Sequence, residues 1–316
     1  MRYGTARAVG LLAGFAADRM AGDPRRGHPV AMFGSAAAAT EQAWYRDSRA
    51  AGAGYAAALI GGVVLVGAVV ESAGARRRAG TVAVTAAATW IALGGTTLAE
   101  TGREMADRLG AQNLDRAREL LPALCGRDPE VLDADGLARA AVESIAENTS
   151  DATVAPLLWG ALAGVPGLLG YRAINTLDAM VGYRDERYRN FGWAAARTDD
   201  IANLLPARLS GILTAALAPV VGGTPADTWR AWRRDAGRHP SPNAGVAEST
   251  MAGALGVRLG GRTEYRHGTE MRPVLGDGPA PVSADLRGAV RLSVAVQCAA
   301  AGVGAAIACG VVRRGR

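Results

Sequence analysis

The chain contains no lysine: its 35 Lys-plus-Arg residues are all arginine. A Walker A loop needs a lysine on its phosphates, a Schiff-base enzyme needs an amine, and the protein-kinase signature needs a strand lysine. All three chemistries are therefore excluded. A GC-rich genome accounts for the bias itself. Cysteine is also scarce: Cys125, Cys298 and Cys309 form no Cys-x-x-Cys pair, and two of them lie in the last apolar run. That argues against a disulfide framework or a zinc site. Three histidines, His28, His239 and His267, are too few for a His-rich metal centre. The net charge of +6 comes without interleaved aromatic and basic residues, so nucleic acid is not an expected partner. Anionic lipid head groups or an anionic substrate fit that charge better.

What the chain has in abundance is apolar surface: 49% of its 316 residues are hydrophobic and 42 are glycine. The uncharged runs Ala50–Val70, Ala79–Ala99 and Leu292–Val312 each reach the ~18 residues expected of a spanning helix. Gly10–Ala17 is a weaker fourth run, interrupted upstream by Arg7, and we read it as an uncleaved first helix rather than a signal peptide. Ala152–Tyr171 contains Pro156, Pro166 and four glycines, which suits a broken or re-entrant segment. Leu209–Ala226 is similarly ambiguous, and an arrangement in which neither of these two segments fully spans keeps every polar motif on one face. Arginine counts in the loops do not favour either orientation. Asn113 is a plausible N-cap for Leu114–Leu124, and Asp135 precedes a helix over Gly136–Asn148. No strand-like alternation persists, no repeat is visible, and Thr228–Pro281 reads as loop-heavy. The expected fold is an all-α, polytopic membrane helical bundle. It would have about four to six membrane-embedded segments, some broken or re-entrant, and soluble-like helices on one face. Residues 1–316 would form one membrane-embedded domain, with 100–151 and 227–291 outside the membrane.

Ionisable and amide side chains crowd into Glu143–Asn203, and such groups are costly near bilayer depth unless they serve a site. Glu143 and Glu147 are spaced i,i+4 and share a helical face, with Asp151 one turn on. Carboxylates so arranged can hold Mg²⁺, and a solvated helix face is the alternative. Asn175 and Asp178 share a face by i,i+3 spacing, followed by Tyr183, Arg184 and Arg187. Asp199, Asp200 and Asn203 then precede Arg208. Arginine forks suit phosphates and carboxylates, although internal Asp–Arg pairing would explain the same residues. His28 and His239 each precede a proline, Asn243 and Glu248 follow His239 closely, and Asp18 and Asp23 flank a turn at Gly22–Pro24.

Four blocks in order carry a resemblance: Asp18–Gly34 (D…GDP…HPV…G), Gly126–Pro156 (GRD…RAAVESIAENTSD…AP), Tyr171–Leu209 (YRAINTLDAMVGYRDERYRNFGWAAARTDDIANLLPARL) and His239–Gly261 (HPSPNAG…MAGALGVRLGG). On these the chain resembles the CbiB/CobD family of cobalamin-pathway adenosylcobinamide-phosphate synthases, multi-pass membrane proteins. It departs from the family pattern at Ala152, where Gly is expected, and at Val246-Ala247, where a bulkier Trp-Pro-like pair is expected.

The resemblance implies an amide-forming ligase that joins adenosylcobyric acid to (R)-1-aminopropan-2-yl phosphate, with ATP and Mg²⁺ and through an acyl phosphate. It implies a cell-membrane location with the site on the cytoplasmic side. Under it Glu143, Glu147 and Asp151 are metal candidates, and Asp178, Asp199 and Asp200 are second metal or base candidates. Arg172, Arg184 and Arg197 would hold phosphates or corrin carboxylates, while Asn148, Asn175, Asn203 and Asn243 orient substrate. His239 would be the base at amine attack; Tyr183, Glu248, His28, Asp18 and Asp23 complete the binding candidates. Association with other late cobalamin-pathway enzymes and a homo-oligomer are left open. Two other classes compete: a transporter of a small polar or anionic solute, which would typically show paired inverted repeats, and a non-catalytic membrane scaffold or sensor.

Overall fold

Small side chains govern how the helices of this chain approach one another. The structure, a computed structural model, describes residues 3–23, 27–183, 185–265 and 268–314. In chain order the helices are α1 (Tyr3–Ala21), α2 (Pro29–Trp44), α3 (Arg49–Gly74), α4 (Arg78–Ala92), α5 (Gly95–Gly110), α6 (Leu114–Leu120) and α7 (Ala134–Thr149). A π turn at Ser150–Val154 leads to α8 (Ala155–Val181), α9 (Tyr188–Phe191), α10 (Trp193–Ala202), α11 (Leu204–Leu217), α12 (Pro225–Asp235), α13 (Ala244–Leu255) and α14 (Ser283–Arg314). Five helical runs are long and apolar enough to cross a membrane: Arg49–Gly74, Arg78–Gly110, Ala134–Val181, Leu204–Val221 and Ser283–Gly310. The chain is thus a multi-pass membrane protein. Of the two ambiguous segments, Ala152–Tyr171 lies wholly in one of these runs and Leu209–Ala226 lies in another as far as Val221, whereas α1 is not among the five.

Local signals explain several helix starts. Asn113 caps α6, its side chain accepting from Arg116 N. The cap of α7 is Asp133, which accepts from Gly136 N at 2.8 Å; Asp135 lies inside the first turn instead of preceding the helix. The loop-heavy reading of 228–281 misses an antiparallel hairpin, β1 (Leu259–Tyr265) with β2 (Gly268–Leu275), the one sheet among the described residues. Its register shifts between Leu259 and Gly261, and its strands carry Gly, Pro, Arg and Glu in place of an alternating apolar pattern. Period-two patterning therefore has nothing to detect there.

The chain divides into two compact units. The first comprises Met1–Gly94, Asp151–Leu204 and Ala300–Arg316; the second comprises Gly95–Ser150 and Leu205–Ala299. In the first unit α1 lies against α4 through Gly10 and Gly14. A Cβ at Gly10 would stand 2.6 Å from Thr85 Cβ, and one at Gly14 would stand 2.5 Å from Thr89 Cβ. This is the small-residue, i,i+4 contact by which apolar helices gain van der Waals packing. Further along, α8 is interrupted at Gly164, whose φ of 69° and ψ of −154° leave the helical region two residues before Pro166. The Arg7–Glu71 ion pair, 3.0 Å long, lies beside this break. Tyr55 and Phe191 stack at 5.0 Å between ring centroids, and Tyr55 OH donates to Ala37 O, tying α2, α3 and α9 together. In the second unit, α7 and α14 are joined by the buried hydroxyls of Thr149 and Ser293, 2.6 Å apart.

The α1–α4 contact makes a direct prediction. Gly14→Leu should lower the thermal midpoint of the detergent-solubilised protein by an overpacking cost of about 1–3 kcal/mol. Gly54→Ala, where nothing stands within 4 Å of the added methyl, should leave it unchanged. Equal midpoints for the two variants would refute the close packing.

Candidate functional site

Two clusters of polar side chains stand out, one in each unit. In the first unit α8 supplies Tyr171, Arg172, Asn175 and Asp178 on successive turns, and α10 supplies Asp199 and Asp200. The linkage is a relay: Tyr171 OH donates to Asn203 Oδ1 at 2.8 Å, and Asn203 Nδ2 donates to Asp199 Oδ2 at 3.0 Å. Arg172 reaches Asn175 Oδ1 at 3.5 Å and lies within the fields of Asp23 and Asp151. Asp178 lies within the fields of Asp199 and Asp200. Burial pushes the Asp199 carboxyl up to about 6; Asn203 and Asn175 pull against it, and Asp200 adds to the rise. The turn carrying Asp23 is held by Trp90, whose indole donates to Gly22 O at 3.0 Å. His28 caps α2 through its Nδ1, and its Nε2 stands 3.8 Å from Asp23 Oδ1. That Asp23 oxygen is buried and accepts no hydrogen bond among the described residues. Beside Arg172 an apolar cavity of about 160 Å³ is lined by Val30, Phe33, Val63, Ile91 and Leu169.

The cluster of the second unit is more deeply buried and better matched in charge. Glu143 of α7 pairs with Arg127 and accepts from Gly260 N of β1 at 2.7 Å. Arg272 of β2 donates to Glu248 Oε1 at 3.2 Å, stands 3.8 Å from Glu143 Oε2, and contacts His239 Nε2. Burial, together with the charges of Glu143 and Glu147, holds Glu248 well above the usual carboxylate range. Burial and then Arg272 push His239 below its ordinary value, so it is neutral at pH 7. Its Nδ1 meets the backbone of Ser241. The expected base thus has both ring nitrogens engaged, Nδ1 by the Ser241 backbone and Nε2 by the Arg272 guanidinium.

The expected trio of Glu143, Glu147 and Asp151 is divided between the two units. Asp151 stands in the π turn and belongs to the first unit, within electrostatic reach of Tyr171 and Arg172, whereas Glu143 and Glu147 neighbour Glu248 in the second. Among the described residues no three His, Cys, Asp or Glu side chains converge as a ready metal cage. Tyr183 is 58% exposed, Arg197 is exposed and bonds Asp200 at 3.4 Å, and Arg184 lies outside the described residues. Asn148 turns back to Ser144 of its own helix, Asn243 accepts from Arg208, and Asp18 is fully buried in α1. Sequence reasoning missed Arg127, Tyr171 and Arg272. The first two stand inside the GRD and YRAIN motifs; nothing around Arg272 in the sequence marks it.

A family model described as CobD/Cbib protein matches residues 11–293. The chain is 59% identical over 295 residues to the cobalamin biosynthesis protein CobD of Mycobacterium tuberculosis, covering 93% of this chain and 94% of that protein. It is 45% identical over 218 residues to the protein of that name from Geobacter metallireducens (69% of each chain), and 43% identical over 266 residues to that of Rhodobacter capsulatus (83% of each). No solved structure matches it significantly.

The two clusters respond differently to perturbation. Arg127→Met removes the nearest cation from buried Glu143, leaving it Gly260 N and Arg272 at 3.8 Å, and should cost up to about 3–5 kcal/mol of unfolding free energy. Adding Glu143→Gln, which keeps an acceptor for Gly260 N, should recover part of that loss. Additive losses in detergent unfolding would refute the pairing. For Asp199 the folded carboxyl holds its proton more tightly than the unfolded one. Its stabilising contribution is therefore full below pH ~4 and is lost as pH rises through about 6. Relative to Asp199→Asn, the wild type should weaken across that window; a constant difference would contradict the burial.

Proposed function

The chain belongs to the CobD/Cbib family, and from that premise we propose that it is an amide-forming ligase of cobalamin biosynthesis. In this reading the γ-phosphoryl group of ATP passes to a carboxylate of adenosylcobyric acid, giving an acyl phosphate and releasing ADP. The amine of (R)-1-aminopropan-2-yl phosphate then attacks the activated carbonyl, forming the C–N bond and expelling phosphate. The membrane would be the cell membrane and the site would face the cytoplasm, where ATP is available.

The observation that carries the reading is the aspartate and amide cluster around Arg172 and Asp199. Its donors are all hard oxygens, and the buried Asp23 Oδ1 accepts no hydrogen bond among the described residues, so the set suits Mg²⁺. Mg²⁺ keeps waters and is completed by substrate phosphates, so a ready-made three-ligand cage is not required. Asp178, Asp199 and Asp200 would hold the ion, which supplies charge neutralisation on the phosphate of the amine substrate when bound. Arg172 offers a guanidinium for phosphate or carboxylate oxygens. Asn175 and Asn203, the latter fixed by Tyr171, orient what binds there. The proton lost from nitrogen as the amine attacks has a neighbouring aspartate to accept it. The cluster of the second unit is internally paired, and we give Glu143 and Arg127 a positioning role through Gly260 of the hairpin.

Purified protein in detergent, given adenosylcobyric acid, aminopropanol phosphate and Mg-ATP, should form the amide, with each component required. Asp178→Asn and Asp199→Asn should each lower turnover at least about a hundredfold while the protein stays folded. Full turnover in both variants would remove the cluster from the chemistry. No product from an intact wild-type protein, together with cobalamin-dependent growth retained in both variants, would favour a non-catalytic scaffold.

A further inference from the structure

A further concave feature lies in the second unit, a pocket of about 550 Å³ formed by Arg208 of α11, Trp229, Trp232 and Arg233 of α12, and His239 and Pro242 beyond it. Its volume falls in the range of small-molecule sites. Positions 229, 232 and 233 are spaced i,i+3 and i,i+4, so α12 presents two indoles and a guanidinium on one face. The indoles meet edge to face, 4.8 Å between centroids. Trp232 packs into a small core with Ala207, Ala236 and Val246, while Trp229 remains 45% exposed. An indole held at its edge and open on one side is a platform for a flat ring.

The charges of the pocket are selective. Of the arginines on and after α12, Arg230 bonds Asp227, Arg234 bonds Asp235 and Asp277, and Arg238 bonds Asp235. Arg233 has no carboxylate partner among the described residues. Arg208 donates to Asn243 Oδ1 at 2.7 Å, a neutral amide that orients the guanidinium without cancelling its charge. No Asp or Glu among the described residues lines the pocket. Two uncompensated arginine forks beside an open indole recognise a ligand that is planar at one end and polyanionic at the other.

The geometry points to a nucleotide site, with the base on Trp229 and the phosphates on Arg208 and Arg233. The pocket chemistry stands by itself; naming a nucleoside triphosphate rests on the ATP-dependent ligase reading. None of these residues belongs to a recognised nucleotide motif, so sequence patterns would not have found the site.

Calorimetric titration of Mg-ATP into protein held in phosphatidylcholine nanodiscs, without corrinoid or amine, tests the assignment. Trp229→Ala and Arg233→Gln should each weaken binding about tenfold with unchanged circular dichroism. Adenosine binding should fall only in the first variant and tripolyphosphate binding only in the second. Absence of Mg-ATP binding to the wild type in the millimolar range, or wild-type affinity in both variants, overturns the site. So does normal Mg-ATP binding accompanied by lost affinity for phosphatidylglycerol vesicles, which would make the face a membrane contact. Binding as expected in a protein that makes no amide would sink the ligase reading and leave the pocket standing.

Discussion

Burying ionised side chains in an apolar, helical chain is the constraint on which the rest of this structure depends. A lone buried charge costs several kcal/mol, so each such group must be paired, neutralised or put to use. The two units meet that requirement in different ways. In the second, Arg127 and Arg272 are set against Glu143 and Glu248, and a backbone N–H from the hairpin completes Glu143. Burial and the neighbouring charges of Glu143 and Glu147 hold the Glu248 carboxyl well above the usual carboxylate range. In the first, aspartates gather around Arg172, and the amides of Asn175 and Asn203 provide polarity without cancelling negative charge. A cluster left acidic in this way is suited to a cation brought by substrate; a matched one is suited to holding shape.

The backbone makes room for these groups by spending side-chain volume. Gly10 and Gly14 let α1 settle onto Thr85 and Thr89, and the break at Gly164 leaves space for the Arg7–Glu71 pair within the apolar run of α8. Such contacts need shape rather than hydrophobic force, since lipid is as apolar as the helix surface.

Much of the fold was legible because its signals are local. Uncharged runs of spanning length, the Asn113 cap and the Gly/Pro interruption of α8 each depend on residues close together in the chain. The hairpin was not legible, because its strands carry no alternation and their stability comes from register with each other. Within the candidate site, the shared face of Asn175 and Asp178 and the grouping of Asp199, Asp200 and Asn203 could be read from spacing. The approach of α10 to α8, which brings Asp178 into the field of Asp199, could not.

The sequence by itself determined that this is a helical membrane protein of the CobD/Cbib family, with its polar residues concentrated in a few motifs, because apolar run length and motif order are properties of the chain alone. Only the tertiary structure decided which of those residues are spoken for. It gave Glu143 to Arg127 and Gly260, His239 to Arg272, and Asp151 to the surroundings of Arg172. The physical reason is that Coulomb energy and hydrogen bonding depend on distance through space. Glu143 and Gly260 are 117 residues apart in the chain and 2.7 Å apart in the fold.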